Sequence, residues 1–345
     1  MLSKLFFTCN AVLPVVLTIL VGYVLKNLKV FPQDFFKLLN KLSFRCCLPT
    51  MLFYNVYNVS NLGAIANYGK VCAFTFVAIL GTFVIAAVLC GLFVKDVRQK
   101  GVMVQAAYRS NNAIIGLSLV ISLVGNEFQA IAVASILSSL FIPLFNILAV
   151  LSLTMFMKEE GKKFDLLSIL KKIATNPLII GCGSGFVFLV IRYFIPETTF
   201  LNEEGIEITK KVFTIKDNLP FLYRTIQMVG SCATPVALIA LGGTFTFSAV
   251  ARLKKLITIG TLARVLIVPV STLVCAYFFG FREVEFPALI ALFGTPTAVS
   301  SVPMATEMNN DDELAGQLVV WTSILSAFTL FGIIFACAQV GIFKV

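Results

Sequence analysis

Near the middles of two long apolar stretches this chain turns polar: Arg109-Ser110-Asn111-Asn112 interrupts one, and residues 295–303 (TPTAVSSVP) interrupt the other. The residue types suit recognition rather than bond making. Arg109 offers a fixed positive charge, Asn111 and Asn112 offer amide donors and acceptors, and Thr295, Thr297, Ser300 and Ser301 offer hydroxyls. Together they could hold a carboxylate. Reaction chemistry is poorly provided for: the chain has no histidine, no H-E-x-x-H, no G-x-S-x-G and no aspartate deep in an apolar run. The nine cysteines lie in or at the edges of apolar runs without a C-x-x-C pair, which makes them small packing residues rather than zinc ligands or a disulfide framework. No enzyme activity, cofactor or metal is expected.

The elements that position these residues must be membrane helices. Apolar residues make up 59% of the chain and charged ones 13%, with 33 phenylalanines and a mean hydropathy of +0.95, so a soluble domain is excluded. A bilayer core about 30 Å thick takes roughly 20 apolar residues per helix. Ten runs qualify, near residues 5–25, 33–57, 70–94, 101–124, 128–157, 176–195, 219–246, 256–280, 284–306 and 315–340. The first is read as a retained span, because no small-x-small cleavage site follows it before Lys26. In hydrocarbon every backbone N–H and C=O needs an internal partner, so irregular backbone at depth survives only where it lines a protein cavity. Two such breaks in matching places of two halves point to the binding site of a transporter.

The halves do match. Pro14 is followed eight residues later by Gly22, and Pro177 eight residues later by Gly185. Pro49-Thr50-Met51-Leu52 in span 2 is echoed by Pro235-Val236-Ala237-Leu238 in span 7, and spans 4 and 9 carry the breaks. Five is an odd number, so a repeated five-helix unit enters the membrane upside down relative to its twin. The expected fold is therefore an all-α polytopic membrane protein of ten transmembrane helices in two inverted repeats, with crossed discontinuous helices 4 and 9. Residues 1–157 form the first repeat, 158–175 a basic cytoplasmic linker and 176–345 the second repeat. Fourteen lysines and arginines fall in the loops after spans 1, 3, 5 and 7, against eight on the other side. Basic loops stay in the cytoplasm, which puts both termini outside. The net charge of +10 needs no nucleic acid; a basic face toward anionic membrane lipids accounts for it.

At the breaks, half-helix N-termini carry a partial charge of about +0.5 and free N–H groups, an anion site. Arginine at a helix centre costs at least about 2.5 kcal/mol on insertion scales, so Arg109 faces a partner or a watery cavity. The plainer alternatives are that Arg109 only satisfies free carbonyls, that Asn111 and Asn112 only cap a half helix, and that the hydroxyls only bond to the previous turn. Pro296 and Pro303 each remove a donor and free a carbonyl, which makes them hinge residues alongside Gly116, Pro49 and Pro235. All 17 acidic residues lie in loops or span ends. That argues against a cation as substrate. It also leaves no carboxylate for coupling, although backbone carbonyls could bind sodium. Glu307, Asp311, Asp312 and Glu313 read as a solvated turn, Lys41 and Arg45 as snorkelling side chains, and Arg264 as reaching either the inner surface or the crossing region.

At these residues the chain resembles the auxin efflux carrier family, whose prokaryotic members are often called malate permeases. The likeness runs through Pro14–Gly22 with Tyr23-Val24-Leu25, Leu48-Pro49 and Leu52-Phe53, Arg109-Ser110-Asn111 to Gly116, Asn176-Pro177, residues 230–242 (GSCATPVALIALG), Pro296–Ala298 with Ala305-Thr306-Glu307, and Ser323 to Ser326. It implies a fold similar to the bile-acid/sodium symporters, with spans 1, 2, 6 and 7 as a scaffold and spans 3–5 and 8–10 as an elevator-like transport domain. It further implies a homodimer through the scaffold and an organic anion as substrate, with Asn111 as the crossover asparagine, Gly116 as its following glycine and Pro296 as the proline of the second break. Three positions depart from the family pattern: Ser118 replaces a proline, Ser300 an asparagine, and Pro303 an apolar residue. The expected function is a secondary transporter of a small mono- or dicarboxylate, malate-like or auxin-like, in the cell membrane. The rival is a carrier of amino acids or other zwitterions on the same fold.

Overall fold

The computed structural model describes residues 2–58, 68–125, 127–157, 171, 174–201 and 207–342. The expected linker 158–175 falls largely outside them. Helices dominate. The first half runs α1 (Leu2–Asn27), α2 (Gln33–Leu42), a π-helical turn Ser43–Cys47, α3 (Leu48–Tyr57), α4 (Gly69–Phe93), α5 (Val97–Tyr108), a π-helical turn Asn112–Gly116, α6 (Leu117–Val124) and α7 (Phe128–Thr154). The second runs α8 (Pro177–Phe194), β1 (Glu197–Leu201), β2 (Glu207–Lys211), α9 (Ile215–Asn218), α10 (Pro220–Ser231), α11 (Ala233–Thr244), α12 (Phe247–Leu262), a π-helical turn Ala263–Ile267, α13 (Val268–Phe278), α14 (Phe286–Gly294), α15 (Ser301–Glu307) and α16 (Asp312–Gln339).

Among the described residues, six helices are long and apolar enough to cross a membrane: Gly69–Phe93, Phe128–Thr154, Pro177–Phe194, Pro220–Thr244, Phe247–Phe278 and Asp312–Gln339. The chain is an integral membrane protein, mostly helical. One departure from the all-α expectation is the antiparallel hairpin β1–β2, which pairs Glu197 with Lys211 and Thr199 with Thr209. Its strands ETTFL and EITKK are short and rich in β-branched residues, a signal that is overlooked when a polar segment is taken for plain loop.

Local chemistry explains where the helices widen. Leu48-Pro49 follows the first π-helical turn and Val268-Pro269 follows the third. Proline has no N–H to donate and its ring crowds the carbonyl four residues earlier. Widening to i→i+5 bonding absorbs that mismatch within an otherwise continuous rod.

Burial is arranged inside out relative to a soluble protein. Large apolar side chains such as Val77, Ile85 and Phe93 of α4 and Phe186, Val187 and Phe194 of α8 are exposed. The centre is instead occupied by the interrupted segments: every residue of α14 is buried, as is α5 from Gly101 to Tyr108. Lipid gives apolar side chains no reason to leave it, so membrane helices associate through small residues that let backbones approach. Gly22 of α1 abuts the Ile239 backbone of α11, and Gly242 of α11 abuts Ile19 and Tyr23 of α1. On α8, Gly181 sits on the Pro49 backbone, and a Cβ at Gly185 would lie 2.9 Å from the Phe53 carbonyl oxygen.

These close approaches leave no space for a side chain. Gly242→Leu is expected to lower stability by about 1–3 kcal/mol, the usual range for overpacking. Gly183→Leu, with nothing within 4 Å of its Cβ position, should melt like wild type. Thermal unfolding in detergent compares the two, and equal melting points would contradict the packing described.

Candidate functional site

The site is built where the two rods lose their helical geometry. Arg109 leaves α5 at φ −84° and ψ 102°, and Thr295 leaves α14 at φ −68° and ψ 152°. Each opens a short extended stretch. The two stretches run antiparallel, with Ser110 opposite Thr297. The Asn111 N–H donates to the Pro296 carbonyl at 2.8 Å, and the Ala298 N–H donates to the Arg109 carbonyl at 3.2 Å. Thr322 of α16 supplies another partner, its Oγ1 accepting from the Thr297 N–H at 3.1 Å. Each break thus satisfies backbone groups that the other has set free.

Carbonyls at the helix ends remain, and Arg264 takes them. Its Nε donates to the Thr295 oxygen at 3.0 Å and its Nη1 to the Ala107 oxygen at 3.1 Å. Its Nη2 reaches the oxygens of Phe293 at 2.8 Å, Thr295 at 2.9 Å and Leu292 at 3.4 Å. Between the two places the sequence allowed for this side chain, the structure selects the junction of the breaks.

Arg109 is used differently. Its Nη2 donates to Asn146 Oδ1 of α7 at 2.7 Å and its Nη1 to the Met304 sulfur at 2.9 Å. Its guanidinium therefore bonds to side chains, while Arg264 tends the backbone. Asn146 in turn donates from Nδ2 to the Ile142 carbonyl at 2.8 Å, which fixes its amide with Oδ1 toward Arg109.

Arg109, Ser110, Asn111, Asn146, Thr234 and Ser300 are the polar lining of one cavity, closed by apolar groups that include Leu48, Leu52 and Leu178. Its volume is about 40 Å³, room for roughly three waters at ~10–15 Å³ each. A carboxylate group matches that space; the remainder of a dicarboxylate requires the walls to part. Ser110 Oγ and Asn111 Nδ2 are buried without a protein partner. An unsatisfied buried polar group costs about 1–3 kcal/mol, so both are suited to a ligand or to water.

The other residues expected at the site take supporting places. Asn112 donates to Ser138 Oγ of α7 at 2.8 Å, and its carboxamide fills the position a Cβ at Gly116 would need. Thr295 gives its carbonyl to Arg264, and its own hydroxyl is unpartnered. Thr297 Oγ1 lies 3.5 Å from the Ala106 carbonyl oxygen. Ser301 is buried at the start of α15 with its hydroxyl unpartnered, and Pro303 lies within that helix. Pro296 accepts from Asn111, Pro49 follows a π-helical turn, and Pro235 sits in the first turn of α11. The acidic residues of the turn 307–313 lie exposed or half-exposed and carry surface bonds. Glu307 pairs with Arg45 at 3.0 Å, Asp311 caps α16 through the Leu314 N–H, Thr306 donates to Asp312, and Arg252 pairs with Glu313. Lys41 and Arg224 are exposed. Asn146 and Thr234 escaped the sequence reading; a lone asparagine in the apolar run 128–154 was the available signal.

Fold and site together define an integral membrane protein organised around a small polar cavity. Residues 7–334 match the profile of the family described as Membrane transport protein, and the chain belongs to that family of auxin efflux carrier-like membrane transporters. No curated protein matches the chain closely enough to be named as a relative.

Asn146→Leu would leave the Arg109 guanidinium without its buried amide acceptor. Hydrogen bonds to charged groups contribute about 1.5–3 kcal/mol, and a loss of that size should appear as a lower melting temperature. A variant melting with wild type would show that Arg109 has another acceptor.

Proposed function

We propose that this membrane transporter is a secondary carrier of small organic anions, mono- or dicarboxylates of malate-like or auxin-like kind, working by alternating access. The observation that carries the reading is convergent: Arg109, Ser110 and Asn111 line one cavity, Ser110 Oγ and Asn111 Nδ2 are buried without a protein partner, and among the described residues no acidic side chain lines the cavity. Such a site favours negative charge.

The finer architecture belongs to the same reading. In it the ten expected spans would correspond to α1, α2–α3, α4, α5–α6, α7 and then α8, α10–α11, α12–α13, α14–α15, α16, with the interrupted pair crossing near residues 109–111 and 296–298. Pseudo-twofold exchange supports the inverted repeats 1–157 and 176–345. Span 1 packs its Gly22 on span 7, and its counterpart span 6 packs Gly185 on span 2. The cavity is lined by Leu48, Leu52, Leu178 and Thr234 from the expected scaffold and by the two breaks with Asn146 from the expected transport domain, which suits an elevator in which α4–α7 and α12–α16 slide against the rest. We assign the protein to the cell membrane with both termini outside, lipids as neighbours and a homodimer through the scaffold helices.

A zwitterion carrier remains the second reading. It would need acceptors for an ammonium group, but Asn146 Oδ1 is engaged by Arg109 and the helix-end carbonyls by Arg264. The anion reading therefore stands first.

Uptake of labelled malate, indole-3-acetate and amino acids into proteoliposomes separates the two. Anion uptake that competes with unlabelled dicarboxylate is expected; amino-acid uptake alone would overturn the reading. Arg109→Gln should weaken anion affinity at least about tenfold, since the loss of a charge-assisted hydrogen bond is worth about 1.5–3 kcal/mol and 1.4 kcal/mol is a factor of ten. Assembly should be retained. Unchanged affinity would reduce Arg109 to a structural role.

A further inference from the structure

Arg264 is 0% exposed and its side chain makes five hydrogen bonds, every one to a main-chain carbonyl. Those carbonyls come from two places. Ala107 belongs to the C-terminal turn of α5, Leu292 and Phe293 belong to the end of α14, and Thr295 is the C-cap of α14. One guanidinium therefore joins the negative ends of both interrupted helices. Each helix end carries about −0.5 elementary charge, so the two together call for about one positive charge. Among the described residues no carboxylate forms an ion pair with Arg264. Its counter-charge is the pair of helix ends.

Unwound carbonyls and half-helix C-termini are where carriers with discontinuous helices coordinate a coupling cation. Here the same kind of oxygen set is already filled by a charge the protein cannot release, because a guanidinium stays protonated and is tied to α12–α13 by its own chain. We propose that Arg264 is a tethered replacement for the coupling cation: it holds the junction of the two breaks in its binding geometry, so that the anion site needs neither sodium nor potassium. The proposal concerns positioning. Arg264 does not line the cavity; it acts through Ala107 on the strand that presents Arg109, Ser110 and Asn111, and through Thr295 on the strand that pairs with it. A fixed charge also travels with the moving helices in every state, so anion movement is not matched by co-transported alkali cation at this point.

Melting of the purified wild-type protein in sodium, potassium and choline chloride at equal ionic strength reads the cation site without any substrate. Equal melting temperatures are expected; saturable stabilisation by sodium or potassium would overturn the proposal. Arg264→Ala should melt lower in choline chloride, and low-millimolar guanidinium chloride should raise it back toward wild type while leaving wild type unmoved. Failure of guanidinium to restore a folded Arg264→Ala, or its melting with wild type, would overturn the proposal too. Should Arg264→Ala not fold, Arg264→Lys keeps the charge with fewer donors and is expected to melt between the two, still indifferent to sodium; a sodium-stabilised Arg264→Lys would count against the idea. The transport arm rests on the anion-carrier reading: malate uptake into proteoliposomes should run at the same rate in all three salts. Uptake that requires sodium would sink the tethered-cation proposal and leave the carrier reading intact. No anion uptake in any salt would sink the carrier reading, with the melting comparison still deciding whether Arg264 fills the cation site.

Discussion

Backbone polarity in hydrocarbon is the constraint on which the rest of this structure depends. A helix broken at membrane depth exposes donors and acceptors that lipid cannot satisfy, at several kcal/mol for each. Neither break in this chain solves that problem alone. The stretch after α5 and the stretch after α14 satisfy one another through two backbone hydrogen bonds, and Arg264 closes the carbonyl ends of both. The breaks are stable only as a pair, so the polar residues they carry are brought to one point by the same bonds that make the break tolerable.

A division of labour between two buried arginines follows. Arg264 faces only backbone, and this releases Arg109 from backbone duty to stand beside Asn146 in the cavity. Glycines set tight backbone contact between α1 and α11 and between α3 and α8. By contrast, Arg45 of the first π-helical turn meets Glu307 at the end of α15. With the Arg45 side chain 60% exposed, that pair is worth at most about 1 kcal/mol. In the proposed elevator, a link of this strength is one that can break and re-form, whereas the glycine contacts hold.

Much of the fold and part of the site were legible in the sequence for a clear physical reason. Asn, Gly and Pro inside runs of apolar residues are locally incompatible with a continuous membrane helix, so the positions of the breaks could be read directly. The Pro–Gly spacing of spans 1 and 6 likewise marked residues that turned out to pack closely. What escaped depended on contacts distant in sequence. The oxygens held by Arg264 lie up to 157 residues away, and nothing near residue 264 announces them. The ion pair of Glu307 was hidden because its partner Arg45 is 262 residues off. Asn146 interrupts no helix, since its amide returns a bond to Ile142 one turn back, so a lone asparagine in an apolar run was its only local mark. The hairpin 197–211 was hidden by its polar surroundings.

In the function proposed above, the transported anion sits in the cavity between the paired breaks. Thiol labelling reads this most directly: Ser110→Cys, made in a background whose native cysteines are replaced by serine or alanine, places a reactive group on the cavity wall. Malate, or whichever organic anion the protein carries, should slow modification of that thiol by a small methanethiosulfonate reagent, with half-protection near the concentration that half-saturates transport. A labelling rate indifferent to an anion that the same protein transports would contradict the account.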